Sequence, residues 1–400
     1  MKSPHPADGK LAFLQLRWID RQRLVGYSAI LLIASLPSFL HFYGQATGDG
    51  GSDFLAFWSA GKLVLAGAAD TAYDIASTFA VQATVGRHDV FAFVNPPPFL
   101  FIVAPLGLLA YNHAWIAWIC ATYGFWLYKT RNADPALSWP IAAFPGALVS
   151  AWHAQTGLLT GGLQAAIATS LERRPFVAGL WTGTLIIKPH LALLMPVAFV
   201  ASRNWRAFAG AACSSTALLL LAWMIFGTGT MLAYPESWQV SRVLMTSSGP
   251  EFFLRQTTVY AAFRAAGSEI LAVWAQGVTS VILICLTWKV WSSKVSVDAK
   301  LAFLFAASAL VTPYLFNYDL AFLILPWLWL ARQPRTRLFG AWKRTLLALL
   351  YLAPLACRAL TFPLGVNLTL VYCLLLIGLI WRCICFETTL PVTQPDPQHR

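Results

Sequence analysis

Apolar blocks broken by short polar or basic stretches run almost the whole length of the chain. The first is Leu24–Phe42, and a polar, acid-bearing stretch from Gly44 to Asn95 follows it. Further blocks are Pro96–Tyr128, Trp139–Trp152, Gly157–Leu171, Phe176–Ala201, Phe208–Phe226 and Ile270–Val290. The last four are Leu301–Val311, Leu320–Leu330, Leu346–Leu360 and Leu364–Ile384. A crossing helix needs about 20 mostly apolar residues. The pattern therefore predicts an all-α, polytopic transmembrane helix bundle of roughly 10–13 spans. Within the first polar stretch, Phe54–Leu65 and Thr71–Val85 have the spacing of amphipathic helices lying on the membrane.

Two blocks are ambiguous. Pro96–Tyr128 is interrupted weakly at Tyr111-Asn112-His113, so it reads as one long span or two short ones. Phe176–Ala201 is interrupted by Lys188-Pro189-His190 and flanked by basic residues on both sides. Two short helices meeting at Lys188 fit that pattern better than one span with a buried lysine. The division expected is a cytoplasmic segment 1–23, a transmembrane body 24–386 with outer loops 44–95 and 227–267, and a polar, disordered tail 387–400.

Composition agrees with the pattern. Of 400 residues, 58% are hydrophobic and 11% charged, well below the quarter usual in soluble domains. The net charge of +12 does not imply nucleic-acid binding, because the Lys and Arg residues cluster beside apolar blocks. That bias marks cytoplasmic ends. Lys10, Arg17, Arg21 and Arg23 place the N-terminus in the cytoplasm and the protein in the inner (plasma) membrane. The seven cysteines lie in or beside apolar blocks without a CxxC pair, so neither a disulfide framework nor a zinc site is expected.

On this topology the polar residues of interest gather at the outer face: Asp53, His153, Gln155, Lys188, His190, Arg255, Gln256, Asn317 and Asp319. An acid, several cations and amides on one face can take a proton from a hydroxyl and hold a departing phosphate. Asp53 is the candidate base, and Lys188, His190 or Arg255 the candidate phosphate holders. Structural alternatives stand beside these roles. Asp53 could cap the helix starting at Phe54, Lys188 could snorkel from a kink, and Asp319 could start the helix at Leu320. Asp49 reads as a turn residue. Trp58 is the one tryptophan singled out from the interfacial anchors. No nucleotide-binding loop occurs, so a donor would arrive through the lipid phase, and no metal site or cofactor is expected.

Four segments in this order resemble glycosyltransferase family 87, the polyprenol-phosphate-mannose-dependent mannosyltransferase-like membrane proteins. They are Asp53-Phe54-Leu55-Ala56-Phe57-Trp58-Ser59-Ala60-Gly61 with Tyr73-Asp74, and Asn95-Pro96-Pro97-Pro98-Phe99-Leu100 with Ala104-Pro105-Leu106. The third combines Ala178-Gly179-Leu180, Lys188-Pro189 and Asn204-Trp205-Arg206, and the fourth is Arg255-Gln256-Thr257-Thr258-Val259. The resemblance implies a GT-C fold, a lipid-phosphate sugar donor, an outer-face site and a loop acid, here Asp53, that deprotonates the acceptor. Two segments depart from the family's pattern. Gly157–Gln164 lacks a Gly-Gln-x-Asn element, and Thr312–Asp319 ends without the usual His, leaving Asn317 or Asp319 to replace it.

The expected function is transfer of a hexose, with mannose the candidate, from a polyprenyl-phosphate donor to a lipid or glycan acceptor. Asp53 would be the base, and Lys188, His190, Arg255, Gln256, Asn317, Asp319 and Trp58 would bind donor or substrate. A transporter or lipid flippase, or a non-catalytic membrane assembly subunit, is the alternative that this sequence leaves open.

Overall fold

The structure is a computed structural model that describes residues 11–48, 51–86 and 90–389. Among them the chain is helical, and a lone antiparallel bridge between Gln256 and Phe316 stands in place of any strand. The expected segment 1–10, Asp49, and tail residues 390–400 lie outside the described residues.

Helix α1 (Arg21–Thr47) begins where the Asp20 carboxylate accepts the Arg23 amide at 2.8 Å. Next come α2 (Phe54–Leu65) and α3 (Ile75–Ala83), the latter capped by Asp74 on the Ser77 amide. The ambiguous block after Pro96 resolves into two pieces. Short helical turns run from Pro97 to Leu108, the chain is extended at Leu109 and Ala110, and α4 (Tyr111–Arg131) follows.

Then come α5 (Pro145–Trp152), α6 (Gly157–Ser170) and α7 (Pro175–Thr184). Lys188 sits between two short helical runs, as its Pro189 predicts, and α8 (Leu194–Ala201) completes the second. Helix α9 (Trp205–Ser247) carries a break at Gly227, whose φ of 81° is a conformation that suits glycine. The first half of the expected outer loop is thus helix rather than coil.

The remainder is α10 (Val259–Ala265), α11 (Glu269–Ser292), α12 (Val297–Ser308), a 3-10 run at Asn317–Leu323, α13 (Ile324–Arg332), α14 (Lys343–Leu364) and α15 (Leu368–Thr389). Five of these helices, α1, α9, α11, α14 and α15, are long and apolar enough to cross a membrane. The chain is a multi-pass, all-α membrane protein.

Two expectations are corrected. Helix α2 is not a surface helix: Phe54 to Gly61 are all buried. Its rings pack on Phe99 and Trp118, and Gly61 lies against the backbone at Val103 and Gly107, where a side chain has no room. Glu387, expected in the tail, belongs to α15, where its carboxylate accepts the Ser296 amide at 2.9 Å and faces Arg337 at 3.7 Å.

Backbone-to-backbone contacts seat the segments that matter most. At Gly157 a Cβ would come within 2.6 Å of the Tyr318 carbonyl and 2.9 Å of the Asp319 Cα. Helix α6 therefore lies directly on the 3-10 run. Small residues allow such approach in membrane bundles.

The Lys188 ammonium then bonds the Asp319 carboxylate at 2.5 Å and the Thr156 hydroxyl at 3.0 Å. Asp319 is 1% exposed and Lys188 11%, so each charge depends on the other. Three segments distant in sequence are cross-linked at one point.

Removing one member of a buried pair strands the other, at a typical cost of about 3–5 kcal/mol. Asp319→Asn and Lys188→Met should each lower the denaturation midpoint of the purified protein by that order. The double variant Lys188→Met, Asp319→Leu should recover most of the loss, as read by thermal unfolding in detergent.

Candidate functional site

Residues scattered from Phe42 to Phe362 converge on a cavity of about 950 Å³. Of the expected site residues, Asp53, Lys188, His190, Arg255 and Asn317 line it. Asp319 lies behind the wall, bonded to Lys188. A more open groove of about 680 Å³, lined by Asp70, Tyr73, Asp74 and Glu236 among others, adjoins it and shares Ile75, Val240 and Leu244.

Asp53 occupies the N-cap position of α2, yet its side chain caps nothing. The Ser52 and Asp53 carbonyls accept the first amides of the helix, which frees the carboxylate to turn outward. Its Oδ2 accepts the Gln155 amide at 2.7 Å and the Tyr318 hydroxyl at 3.4 Å. Both bonds reach the same oxygen.

The carboxylate touches the cavity's solvent but is surrounded by protein on its other sides. That desolvation raises its pKa above 3.8, opposed by the Tyr318 hydrogen bond, the charge of Arg255 and the Gln155 bond. Burial, with the Asp53 charge, pushes the Tyr318 hydroxyl well above its ordinary value, so it remains a donor.

Gln155 is aimed by a tight turn. Ala154 adopts a φ of 48° between α5 and α6, a left-handed conformation uncommon outside glycine. The turn sets Gln155 toward Asp53 while the His153 ring packs at a tilt against Phe42 and Tyr318, with centroids 4.7 and 5.6 Å away.

The Arg255 segment is positioned by pairing. The Asn317 amide donates to the Arg255 carbonyl at 2.9 Å, and the Thr257 amide to the Leu315 carbonyl at 2.8 Å. Arg255 ends the short helix Pro250–Leu254 in helical backbone, and its side chain lines the cavity with the guanidinium over the Phe362 ring at 5.8 Å. Gln256 faces away, fully buried, with its carbonyl held by Asn367 at 2.8 Å. Gln256 does not line the cavity.

Trp58 is likewise in the core. It is 4% exposed and its indole donates to the Leu109 carbonyl at 3.0 Å, which fixes α2 to the start of α4.

His190 and His153 are neutral at ordinary pH. Burial, then Lys188, lowers His190 to about 3. Burial, then Arg358 and Arg255, lowers His153 to about 3. Each Nε2 is buried without a hydrogen-bond partner among the described residues.

Arg358, Tyr314, Tyr318 and Thr156 also stand on the cavity wall, although the sequence motifs do not single them out. Arg358 carried a usable signal: it is a lone charge inside the apolar block Leu346–Leu360, and intramembrane charges mark functional sites by default. The tyrosines carried none, since aromatic residues abound throughout the chain.

The arrangement thus sets a carboxylate with one free oxygen opposite cations and neutral imidazoles. It can accept a proton from a hydroxyl and hold an anion at once. No curated protein and no solved structure matches the chain. The family model described as glycosyltransferase family 87 matches residues 93–313, more than half of the sequence, and the chain belongs to that family.

Proposed function

We propose that this membrane glycosyltransferase moves a hexose, mannose being the candidate, from a polyprenyl-phosphate donor to a hydroxyl of a lipid or glycan acceptor. The reaction takes place at the outer face of the inner membrane, in a GT-C fold, with Asp53 as general base. The observation that carries this reading is the Asp53 carboxylate. It is released from helix capping, held among the described residues through Oδ2, and turned into the cavity that Arg255 also lines. Asp53 precedes the stretch matched by the family model, so its role is argued from this geometry and from the resemblance of its loop.

In the proposed step the acceptor O–H gives its proton to the free Oδ1 of Asp53. The acceptor oxygen forms a bond to the sugar's anomeric carbon as the bond from that carbon to the phosphate oxygen breaks. The bonding pair leaves with the phosphate, and the developing negative charge falls beside the Arg255 guanidinium. Oriented cations that meet charge as it develops usually contribute more to such catalysis than any other single effect.

Lys188 acts differently from first expectation. Its charge is matched by Asp319, so its contribution to an anionic ligand is smaller than that of Arg255, which has no carboxylate partner among the described residues. His190 and Asn317 offer neutral polar groups to sugar or phosphate oxygens. The adjoining groove, with its carboxylates and Tyr73, suits a hydroxyl-rich acceptor approaching Asp53 from that side.

A purified assay with a labelled polyprenyl-phosphate hexose tests the base directly. Asp53→Asn should reduce transfer by about 100- to 10,000-fold, the usual scale for general base catalysis, while the protein keeps its unfolding midpoint. Transfer at the wild-type rate would move the base elsewhere.

The pH dependence follows from the raised pKa of Asp53. Only the ionised carboxylate accepts a proton, so single-turnover transfer should fall as pH drops through a value above 3.8. Gln155→Leu and Tyr318→Phe each remove a hydrogen bond that favours the ionised form. Both should shift that acid limb to higher pH.

A further inference from the structure

Arg358 has no part in the chemistry above, yet it is the most conspicuous charge of the bundle. It lies in α14 with its guanidinium over the Phe42 ring of α1 at 5.3 Å, and it lines the cavity. One turn further along α14, Phe362 carries the Arg255 guanidinium. Residues four apart share a helix face, so the two guanidiniums stand on the same wall.

Among the described residues neither guanidinium has a carboxylate within ion-pair distance. Two unmatched like charges in a half-enclosed space repel one another. An anion between them removes that repulsion.

An apolar seam leads away from this pair. Helices α1 and α14 both pack on α5. Leu148, Val149 and Trp152 of α5 are buried there, and Leu31 and Leu32 of α1 and Leu355 of α14 pack against them. Trp152 and Phe42 belong to the cavity wall as well, so seam and cavity are continuous. Exposed apolar side chains such as Ile33, Leu36 and Leu352 flank it, as expected of a surface facing lipid.

We propose that Arg358 and Arg255 together grip the phosphate of the lipid donor, and that its isoprenoid tail lies in the seam between α1 and α14. The assignment rests on the lipid-phosphate donor class proposed above and adds the residue and the route by which it is recognised. Arginine suits the task because its planar fork can bond phosphate oxygens in pairs. The isoprenoid chain is apolar along its whole length and matches the leucine, valine and aromatic side chains of the seam.

The test uses the full-length protein in lipid nanodiscs, with binding of decaprenyl phosphate, decaprenol and inorganic phosphate measured separately. Wild type should bind decaprenyl phosphate at least about tenfold more tightly than decaprenol, the scale of a charge-assisted contact. Inorganic phosphate should compete weakly, because it lacks the tail. Arg358→Gln should erase most of the preference for the phosphate while leaving decaprenol binding intact, which also shows that the variant is folded. Arg358→Lys should restore part of it, and Leu32→Trp should weaken both lipids.

Undiminished decaprenyl phosphate binding by Arg358→Gln would overturn the proposal. So would inorganic phosphate binding as tightly as the lipid, which would identify a site for free phosphate. Asp53→Asn separates this inference from the base assignment, since it should abolish transfer without altering lipid binding. Normal transfer by Asp53→Asn alongside weakened lipid binding by Arg358→Gln would topple the base and keep the phosphate grip.

Discussion

The buried ion pair between Lys188 and Asp319 is the constraint on which the cavity depends. Desolvating two charges is costly, and their attraction offsets the cost only in good geometry with further hydrogen bonds. Here Thr156 supplies such a bond to the ammonium, and the close approach of α6 at Gly157 sets Asp319 within reach. The turn before α6, the break at Lys188 and the 3-10 run at Asn317–Leu323 therefore cannot move independently. Gln155 and Tyr318, the two groups that hold Asp53, are each immediate neighbours in sequence of a member of this cross-link. The position of the acid is thus inherited from the ion pair.

That arrangement divides the charges of the cavity by role. One lysine is neutralised by its own carboxylate and serves the frame. Among the described residues two arginines have no carboxylate within ion-pair distance and are braced instead by aromatic rings, which orient a cation without cancelling its charge. The two histidines are held neutral by burial. Opposite them stands a single accessible acid. The Arg255 charge also favours the ionised form of Asp53, so the cation that would meet an anion helps keep the base ready.

At the other pole of the molecule the basic residues are consumed by structure. Arg332 contacts Asp134 at 3.2 Å and Asp298 at 3.7 Å, and the Arg344 guanidinium donates to the Arg17 carbonyl at 2.9 Å. These contacts join connections that the charge bias had assigned to one side of the membrane. The opposite pole holds the cavity. A bundle of apolar helices thereby acquires two unlike ends: one tied by ion pairs and carbonyls, the other left open to a ligand.

The helical, membrane-embedded character of the chain follows from its long continuous apolar blocks, because a helix satisfies its own backbone groups in lipid and barrel strands would be short and alternating. The break at Lys188-Pro189 and the convergence of Asp53, Lys188, His190, Arg255 and Asn317 were also legible, since charges in so apolar a chain have few places to go. Tertiary structure decided the rest. An aspartate before a helix reads equally as cap or acid, and only the fold shows that Asp53 leaves the capping amides to other groups. Trp58 and Gln256 look like site residues because they sit in the right motifs, but packing buries both in the protein. Lys188 and Arg255 are both cations in motifs, and only the placement of Asp319 shows which one is already matched. Arg358 went unread because its neighbours on the cavity wall come from the opposite end of the chain. Sequence specifies which side chains are costly to bury; which of them are compensated is a property of contacts between distant segments.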